Sequence, residues 1–128
     1  MFSYNYDYPP QKSPAVLVKT KSAYQVWFII LKDFPKVYRY TIGGKIESCF
    51  LEFLDTIFSS LYLPKEHKLQ RLNIASTRLD SLKFFLQISW ENKCISNDKY
   101  MNLAEQLEEI GKMIGGWKRG LETKTPAR

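Results

Sequence analysis

Residues 103–121 have the sequence LAEQLEEIGKMIGGWKRGL, and this stretch decides the fold class. Its apolar residues recur at alternating spacings of four and three, as in a helix that buries one narrow stripe. The members of that stripe are Leu103, Leu107, Ile110, Ile114, Trp117 and Leu121. Ser96 precedes the stretch as a helix N-cap, with Lys99 and Tyr100 in the first turn. The pattern predicts a long amphipathic helix that packs against other helices.

Three further helical segments precede this helix along the chain. The first covers about residues 17–34 and ends before Pro35, because proline cannot continue a helix. The second opens near residues 38–41 and runs to about residue 61, with an apolar stripe wide enough to be buried on two sides. The third covers about residues 65–93, with Pro64 at its first turn and leucines seven residues apart. Those leucines are Leu72, Leu79 and Leu86.

The links between the four segments are short, and short links make neighbouring helices antiparallel. No stretch alternates polar and apolar residues strongly enough to form a strand. We therefore predict an all-α fold, an antiparallel up-down-up-down four-helix bundle over residues 17–122. An extended tail rich in tyrosine and proline, residues 1–16, precedes the bundle, and a basic tail, residues 123–128, follows it.

Composition and charge limit the classes to which the protein can belong. A chain of 128 residues forms one domain, and 45% apolar with 25% charged residues is typical of a globular protein. The net charge of +6 favours RNA, DNA or an acidic protein surface as partner, although surplus surface lysine gives the same number. Residues 26–31, the longest apolar stretch, are too short to span a membrane, and residues 1–10 do not resemble a signal peptide. We expect a cytoplasmic protein, with Cys49 and Cys94 as buried thiols.

The residues that usually carry catalysis or bind metals are sparse. His67 is the one histidine in the sequence, so no second histidine can join it in a zinc site or a catalytic triad. Glu105, Glu108 and Glu109 avoid the apolar stripe of their helix, which places them against solvent or a partner. The sequence therefore predicts a binding protein rather than an enzyme, and no cofactor.

Glycine residues occur inside two of the predicted helices. Gly43 and Gly44 precede Lys45, but the spacing and the preceding strand of a phosphate-binding loop are both missing. We expect these glycines to allow a close approach between helices. The same expectation applies to Gly111, Gly115 and Gly116.

Basic residues concentrate on the third and fourth helices. The third helix carries Lys65, Lys68, Arg71, Arg78 and Lys83 against two acidic residues. Spacings of three and seven place Lys68, Arg71 and Arg78 near one helical face. The fourth helix and the C-terminal tail add Lys112, Lys118, Arg119, Lys124 and Arg128. Such a stripe can neutralise phosphates without recognising bases, although a solvated helix face has the same composition.

Four stretches of the chain share a pattern with a known family. They are residues 34–43 (FPKVYRYTIG), 69–75 (LQRLNIA), 79–86 (LDSLKFFL) and 109–117 (EIGKMIGGW). Together they resemble the accessory variability determinant proteins of diversity-generating retroelements, a branch of a bacterial four-helix-bundle superfamily that includes the proteins encoded in ribosomal RNA intervening sequences. The resemblance covers about residues 20–121.

This resemblance implies a four-helix protomer that assembles into a homopentameric, ring-shaped barrel with a basic surface. It also implies nucleic-acid binding with little sequence preference and association with the element's reverse transcriptase, which makes mutagenised cDNA from template-repeat RNA for retrohoming. The alternative is a ribosomal-RNA-associated or orphan bundle protein that has no reverse-transcriptase partner. Ten basic residues in or beside the matched stretches are the predicted nucleic-acid-binding residues: Lys36, Arg39, Lys45, Lys65, Lys68, Arg71, Arg78, Lys112, Lys118 and Arg119.

Overall fold

The structure, a computed structural model, describes residues 14–123, and all their regular secondary structure is helical. The elements are α1 (Ala15–Lys32), α2 (Lys36–Arg39), α3 (Ile42–Ser60), α4 (Lys65–Glu91) and α5 (Asn97–Thr123). The predicted all-α class is therefore confirmed. None of these helices is both long and apolar enough to cross a membrane.

Proline residues set the start of three of the helices. Pro14 lies directly before α1, and its carbonyl accepts hydrogen bonds from the N–H groups of Leu17 and Val18 at 2.9 and 3.1 Å. Pro64 occupies the same position before α4, and its carbonyl accepts from the N–H of Lys68 at 2.8 Å. Proline suits this position because the first N–H groups of a helix have no intrahelical acceptor to lose.

The observed boundaries correct the prediction at two places. α1 begins at Ala15, and Val16 is buried, so the last residues of the predicted extended tail belong to the packed helix. The second predicted segment consists of two helices, because the backbone of Thr41 departs from helical geometry (φ −106°, ψ −96°) between α2 and α3. The rest of the two predicted tails, residues 1–13 and 124–128, lies outside the described residues.

The link between α4 and α5 is a tight turn. Lys93 adopts a left-handed φ of 63°, and the N–H of Cys94 then donates to the carbonyl of Ser89 at 2.8 Å. A left-handed residue just past the last turn is a common helix end, which explains why α4 ends at Glu91 rather than at the predicted residue 93. The hydroxyl of Ser96 accepts from the N–H of Lys99 at 3.4 Å, as predicted for the cap of α5.

The four long helices contact one another in a closed order: α1 packs on α3, α3 on α4, α4 on α5 and α5 on α1, while α2 packs on α3. The predicted apolar stripe of α5 is confirmed as far as Ile114, with Trp117 and Leu121 only partly buried. The predicted leucines of α4 are buried in the same core. Each large apolar side chain removed from water contributes about 1.5–3 kcal/mol.

Aromatic side chains and one carboxylate join α1 to α3. Trp27 is fully buried, and its indole Nε1–H donates to Oε1 of Glu47 at 2.7 Å. The hydroxyl of Tyr24 donates to the other oxygen of the same carboxylate. Burial, and after it the hydrogen bond to Glu47, raises the pKa of Tyr24 to about 12. Two neighbouring helices are thus connected by directional bonds as well as by apolar contact.

The wide stripe of α3 packs against both α1 and α4, in agreement with the prediction, but some apolar residues beside it stay exposed. Leu51 and Phe58 on this helix are each about half exposed. Phe28 and Ile29 on α1 are exposed to the same degree. Within the described residues, two adjacent helices therefore carry apolar side chains that are about half exposed.

Candidate nucleic-acid interface

The predicted basic residues are distributed over two ends and one side of the molecule. The start of α4 meets the end of α5, because Nζ of Lys118 donates to Oδ1 of Asn73 at 3.2 Å and to Oγ of Ser76 at 3.1 Å. We call this the α4–α5 end; it holds Lys65, Lys68, Arg71, Lys118 and Arg119. The opposite end, which includes α2, holds Lys36 and Arg39.

Two of the predicted arginines face α3 rather than open solvent. Nη1 of Arg78 forms an ion pair with Oε1 of Glu52 at 2.8 Å. Nε of Arg71 donates to the hydroxyl of Ser59 at 3.1 Å. The three basic residues predicted on one face of α4 therefore do not form an open stripe, since only Lys68 points toward the end of the molecule. Sequence spacing fixed their helical face, but α3 covers part of that face.

Arg39 has a structural role. Its Nη2 donates to the backbone carbonyls of Leu31, Lys32 and Phe34, at 3.2, 3.3 and 3.4 Å. These carbonyls lie at the end of α1, where a helix has no intrahelical donors left to satisfy them. The guanidinium thus caps α1 and holds α2 against it, although the position was predicted as a nucleic-acid contact.

Lys45 lies on the side of the molecule formed by α3 and α4. Its Nζ is 5.5 Å from the ring centroid of Phe85, a cation–π distance. A pocket of about 340 Å³ opens beside it and is also lined by Cys49, Glu52 and Arg78. Because Glu52 already neutralises Arg78, this side offers less positive charge than its residue types indicate.

The remaining predicted residues are available to an external anion. No side chain within residues 14–122 forms a hydrogen bond or an ion pair with them. They are Lys36, Lys65, Lys68, Lys112 and Arg119. An unpaired lysine or arginine is the kind of group that exchanges its counterions for the phosphates of a nucleic acid.

A pocket of about 570 Å³ opens at the α4–α5 end beside Lys68. Its walls are mostly apolar and include Pro14, Leu61, Met113 and Trp117, with Lys68 as the charged residue. A pocket of this composition has room for a planar or aliphatic group next to a phosphate.

Two lysines outside the predicted set are neutralised by carboxylates on α5. Lys83 pairs with Glu108 at 2.5 Å and Lys19 with Glu109 at 2.7 Å, and these hydrogen bonds hold the pKa values of both carboxyls below the ordinary range. Glu105 is exposed. The acidic residues predicted to face solvent or a partner therefore lie on the surface, and two of them cancel nearby positive charge.

Two of the helical glycines lie against another element, as was expected of them, and at Gly111 a Cβ would lie 3.5 Å from Leu79 on α4. A Cβ at Gly43 would lie 3.3 Å from the ring of Phe34 and 3.3 Å from the carbonyl of Tyr38, which means that α2 and the end of α1 pack directly on α3 here. At Gly115 and Gly116, a Cβ would meet only the guanidinium of Arg119 on the same helix. The expectation is therefore supported at Gly43 and Gly111 and wrong at Gly115 and Gly116.

Sequence reasoning missed two features of this surface. Val37, Tyr38 and Tyr40 are exposed beside Lys36, although the stretch that contains them was used only for the family resemblance. The alternation of basic and aromatic residues in that stretch was a signal that could have identified it. Glu47 was also missed, because a single glutamate within an apolar helix gives no indication that two donors from another helix meet it.

No protein in the curated collection of known proteins matches this chain. A family model described as bAvd-like matches residues 16–121, which is most of the chain and all of its long helices except their extreme ends. This match confirms the resemblance drawn from the four sequence stretches. The chain belongs to the bAvd-like family.

Proposed function

We propose that this chain is a non-catalytic accessory subunit of the reverse transcriptase of a diversity-generating retroelement. Membership of the bAvd-like family over residues 16–121 is the observation that carries the proposal. In this role the protein works in the cytoplasm, binds template-repeat RNA and its cDNA, and supports mutagenic retrohoming. It requires no cofactor of its own.

The architecture we propose is an antiparallel up-down-up-down four-helix bundle. On α4 and α5, Lys83 pairs with Glu108 and Asn73 pairs with Lys118, so residue numbers rise on one helix as they fall on the other. The pairs between α3 and α4, and between α1 and α5, follow the same rule. This register supports opposite directions for each pair of neighbours, as in a bundle with short links.

We further propose that protomers assemble into a ring of five. The half-exposed apolar residues of α1 and α3 support association, since a second copy would remove them from water. A contact between two different faces of the protomer, repeated by rotation, closes into a ring. The number five follows from the family resemblance. A ring would multiply the charge of +6 on each chain into a strongly positive assembly.

Nucleic-acid binding would then depend on the unpaired cations. Each phosphate that a lysine or arginine neutralises releases condensed counterions, so affinity falls as salt rises. Such contacts do not distinguish sequences, in agreement with a subunit that must accept many template repeats.

The first test measures the solution mass by light scattering and the affinity for labelled single-stranded RNA between 50 and 200 mM salt. We expect a mass near five protomers and a steep decline of affinity with salt, with a log–log slope of about −0.7 for each phosphate contacted on a single strand. The variant Lys65→Gln/Lys68→Gln/Arg119→Gln should flatten this slope.

The matched control is Lys19→Gln/Lys83→Gln/Lys99→Gln, which removes the same charge from lysines already paired with carboxylates. Because those lysines are not expected to contact phosphates, the control should weaken binding without flattening the slope. A flat salt response of the unmodified protein would contradict nucleic-acid binding. A monomer that does not bind the reverse transcriptase of such an element would favour the ribosomal-RNA-associated or orphan alternative.

A further inference from the structure

The short helix α2 presents large side chains to solvent. Val37 is 78% exposed, Tyr38 48% and Tyr40 88%, so these side chains contribute little to the core of the chain. They lie within residues 36–41, between the end of α1 and the start of α3, and we call this segment the α2 platform. An exposed group of aromatic and aliphatic residues in one turn is typical of a contact surface.

Several bonds hold the backbone of the α2 platform in one position. The guanidinium of Arg39 is bound to three carbonyls at the end of α1. The hydroxyl of Thr41 donates to the carbonyl of Tyr38 at 3.2 Å, and that carbonyl lies so close to Gly43 that only glycine fits without displacement. The tyrosine rings are therefore exposed on a fixed support, and a ligand would not have to order a loose loop before it bound.

The surroundings of the α2 platform are positively charged. Lys36 lies within it, Lys32 and Lys45 lie close to it along the chain, and all three are exposed. Within residues 32–47, Asp33 forms an ion pair with Lys99 at 2.9 Å, and Glu47 is occupied by its hydrogen bonds to α1. A polyanion would approach this segment without meeting an unpaired carboxylate from residues 32–47.

We propose that the α2 platform binds single-stranded nucleic acid, with Tyr38 and Tyr40 stacking on unpaired bases and Lys36 contacting a phosphate. Exposed aromatic rings bind base faces, which are accessible in a single strand and hidden in a duplex. Arg39 is a positioning residue in this site. The inference rests on the proposed function. It adds that the nucleic acid is single-stranded and that the α2 platform contacts its bases.

The experiment compares full-length variants by fluorescence anisotropy, with a labelled single-stranded RNA of mixed sequence and a duplex of the same sequence as probes. Because stacking on one aromatic side chain contributes ~1–3 kcal/mol per base, Tyr38→Ala/Tyr40→Ala removes two such contributions and should weaken single-strand binding by at least roughly 30-fold. Duplex affinity should change less than about twofold, since base faces do not contribute to it. Tyr38→Phe/Tyr40→Phe keeps both rings and should bind the single strand nearly as the unmodified protein does.

Phe84→Ala is the matched control, because Phe84 is 57% exposed on α4 outside the platform. This variant should leave single-strand affinity unchanged. Circular dichroism and light scattering on every variant establish that fold and assembly are retained.

A selective loss of single-strand binding in the alanine variant, restored by phenylalanine, would support the proposal. Equal losses for both probes, no loss, or a changed solution mass would overturn it, the last by placing the tyrosines in a protein contact. If the unmodified protein binds neither probe, the proposed function itself fails. If it binds both and the alanine variant binds equally well, only the α2 platform is wrong.

Discussion

The interface between α4 and α5 and the interface between α1 and α3 are built from different chemistry. The first joins aliphatic residues such as Leu86 and Leu107 along most of its length, with polar pairs at its edges and, near the turn, the ring of Trp90 stacked on that of Tyr100. The second places aromatic rings around the carboxylate of Glu47, which accepts one hydrogen bond from Tyr24 and one from Trp27. Aliphatic packing depends on volume and tolerates exchange of similar side chains, whereas two directional bonds to one carboxylate favour a single register. The fold thus combines one interface that accepts side chains of similar volume with another that favours a single helix register.

The largest expected effect tests the aliphatic interface. Leu107 is almost fully buried, so Leu107→Ala should leave a cavity and lower the free energy of unfolding by about 2–5 kcal/mol. Urea denaturation followed by circular dichroism measures this loss. Glu105→Ala, on the exposed face of the same helix, is the control and should change stability little. A loss for Leu107→Ala below about 1 kcal/mol would contradict dense packing between α4 and α5.

A smaller loss is expected when the directional interface is broken. Glu47→Ala leaves the indole N–H of Trp27 without its acceptor and should cost about 1–3 kcal/mol. Glu47→Gln keeps an acceptor oxygen in place and should recover part of that loss. Urea denaturation of both variants, with the indole N–H resonance of Trp27 as a local probe, measures the effect. Equal stability of Glu47→Ala and the unmodified protein would mean that these bonds contribute nothing to register.

The smallest expected effect is a dependence on pH of the stability that Tyr24 contributes to the α1–α3 interface. Because the pKa of Tyr24 is raised to about 12 in the folded protein, above its unfolded value of 10.0, the folded state favours the protonated phenol. The stability that the protonated phenol contributes to folding is fully present below pH 10 and is lost as pH rises toward 12. Tyr24→Phe lacks it at every pH and should be less stable at pH 8 by about 1 kcal/mol.

The stability difference between Tyr24→Phe and the unmodified protein should therefore shrink between pH 10 and pH 12. Urea midpoints of both proteins across this range measure the change, and subtraction removes the titration of the other tyrosines and the lysines, which both proteins share. A constant difference over the range would show that Tyr24 ionises without disturbing the interface.

Sequence alone predicted the aliphatic interface well and the directional one poorly. The spacing of Leu103, Leu107 and Ile110 marks the buried face of α5, because burial of a helical stripe follows from periodicity. The bonds to Glu47 depend on which residues of α1 lie at the same height, and no pattern within α3 encodes that register. The separate helix α2 was missed for a similar reason, since Thr41 interrupts a run of residues that would otherwise continue as one helix.

For the basic surface as well, the sequence does not show which residues of different elements pair with one another. The sequence identifies which residues are cationic and roughly which helical face they occupy. It does not show that Arg78 meets Glu52 or that Arg39 caps α1, because these partners lie on other elements. Lys36, Lys65 and Arg119 remain predicted nucleic-acid contacts, and packing has left them unpaired among the described residues.

The two buried cysteines make this protein a convenient reporter of its own breathing motions. Burial raises the pKa values of the Cys49 and Cys94 thiols, so at neutral pH both are protonated and shielded from alkylating reagents. Because both thiols are protonated and little exposed, local or global opening accelerates their modification, and a change in the modification rate reports a change in that opening. Cys49 lies within α3 and Cys94 lies in the turn between α4 and α5. Mass spectrometry of the two labelled peptides would therefore measure the labelling rate of each region separately. A partner that binds near either region would slow its labelling, and no engineered probe would be needed to detect it.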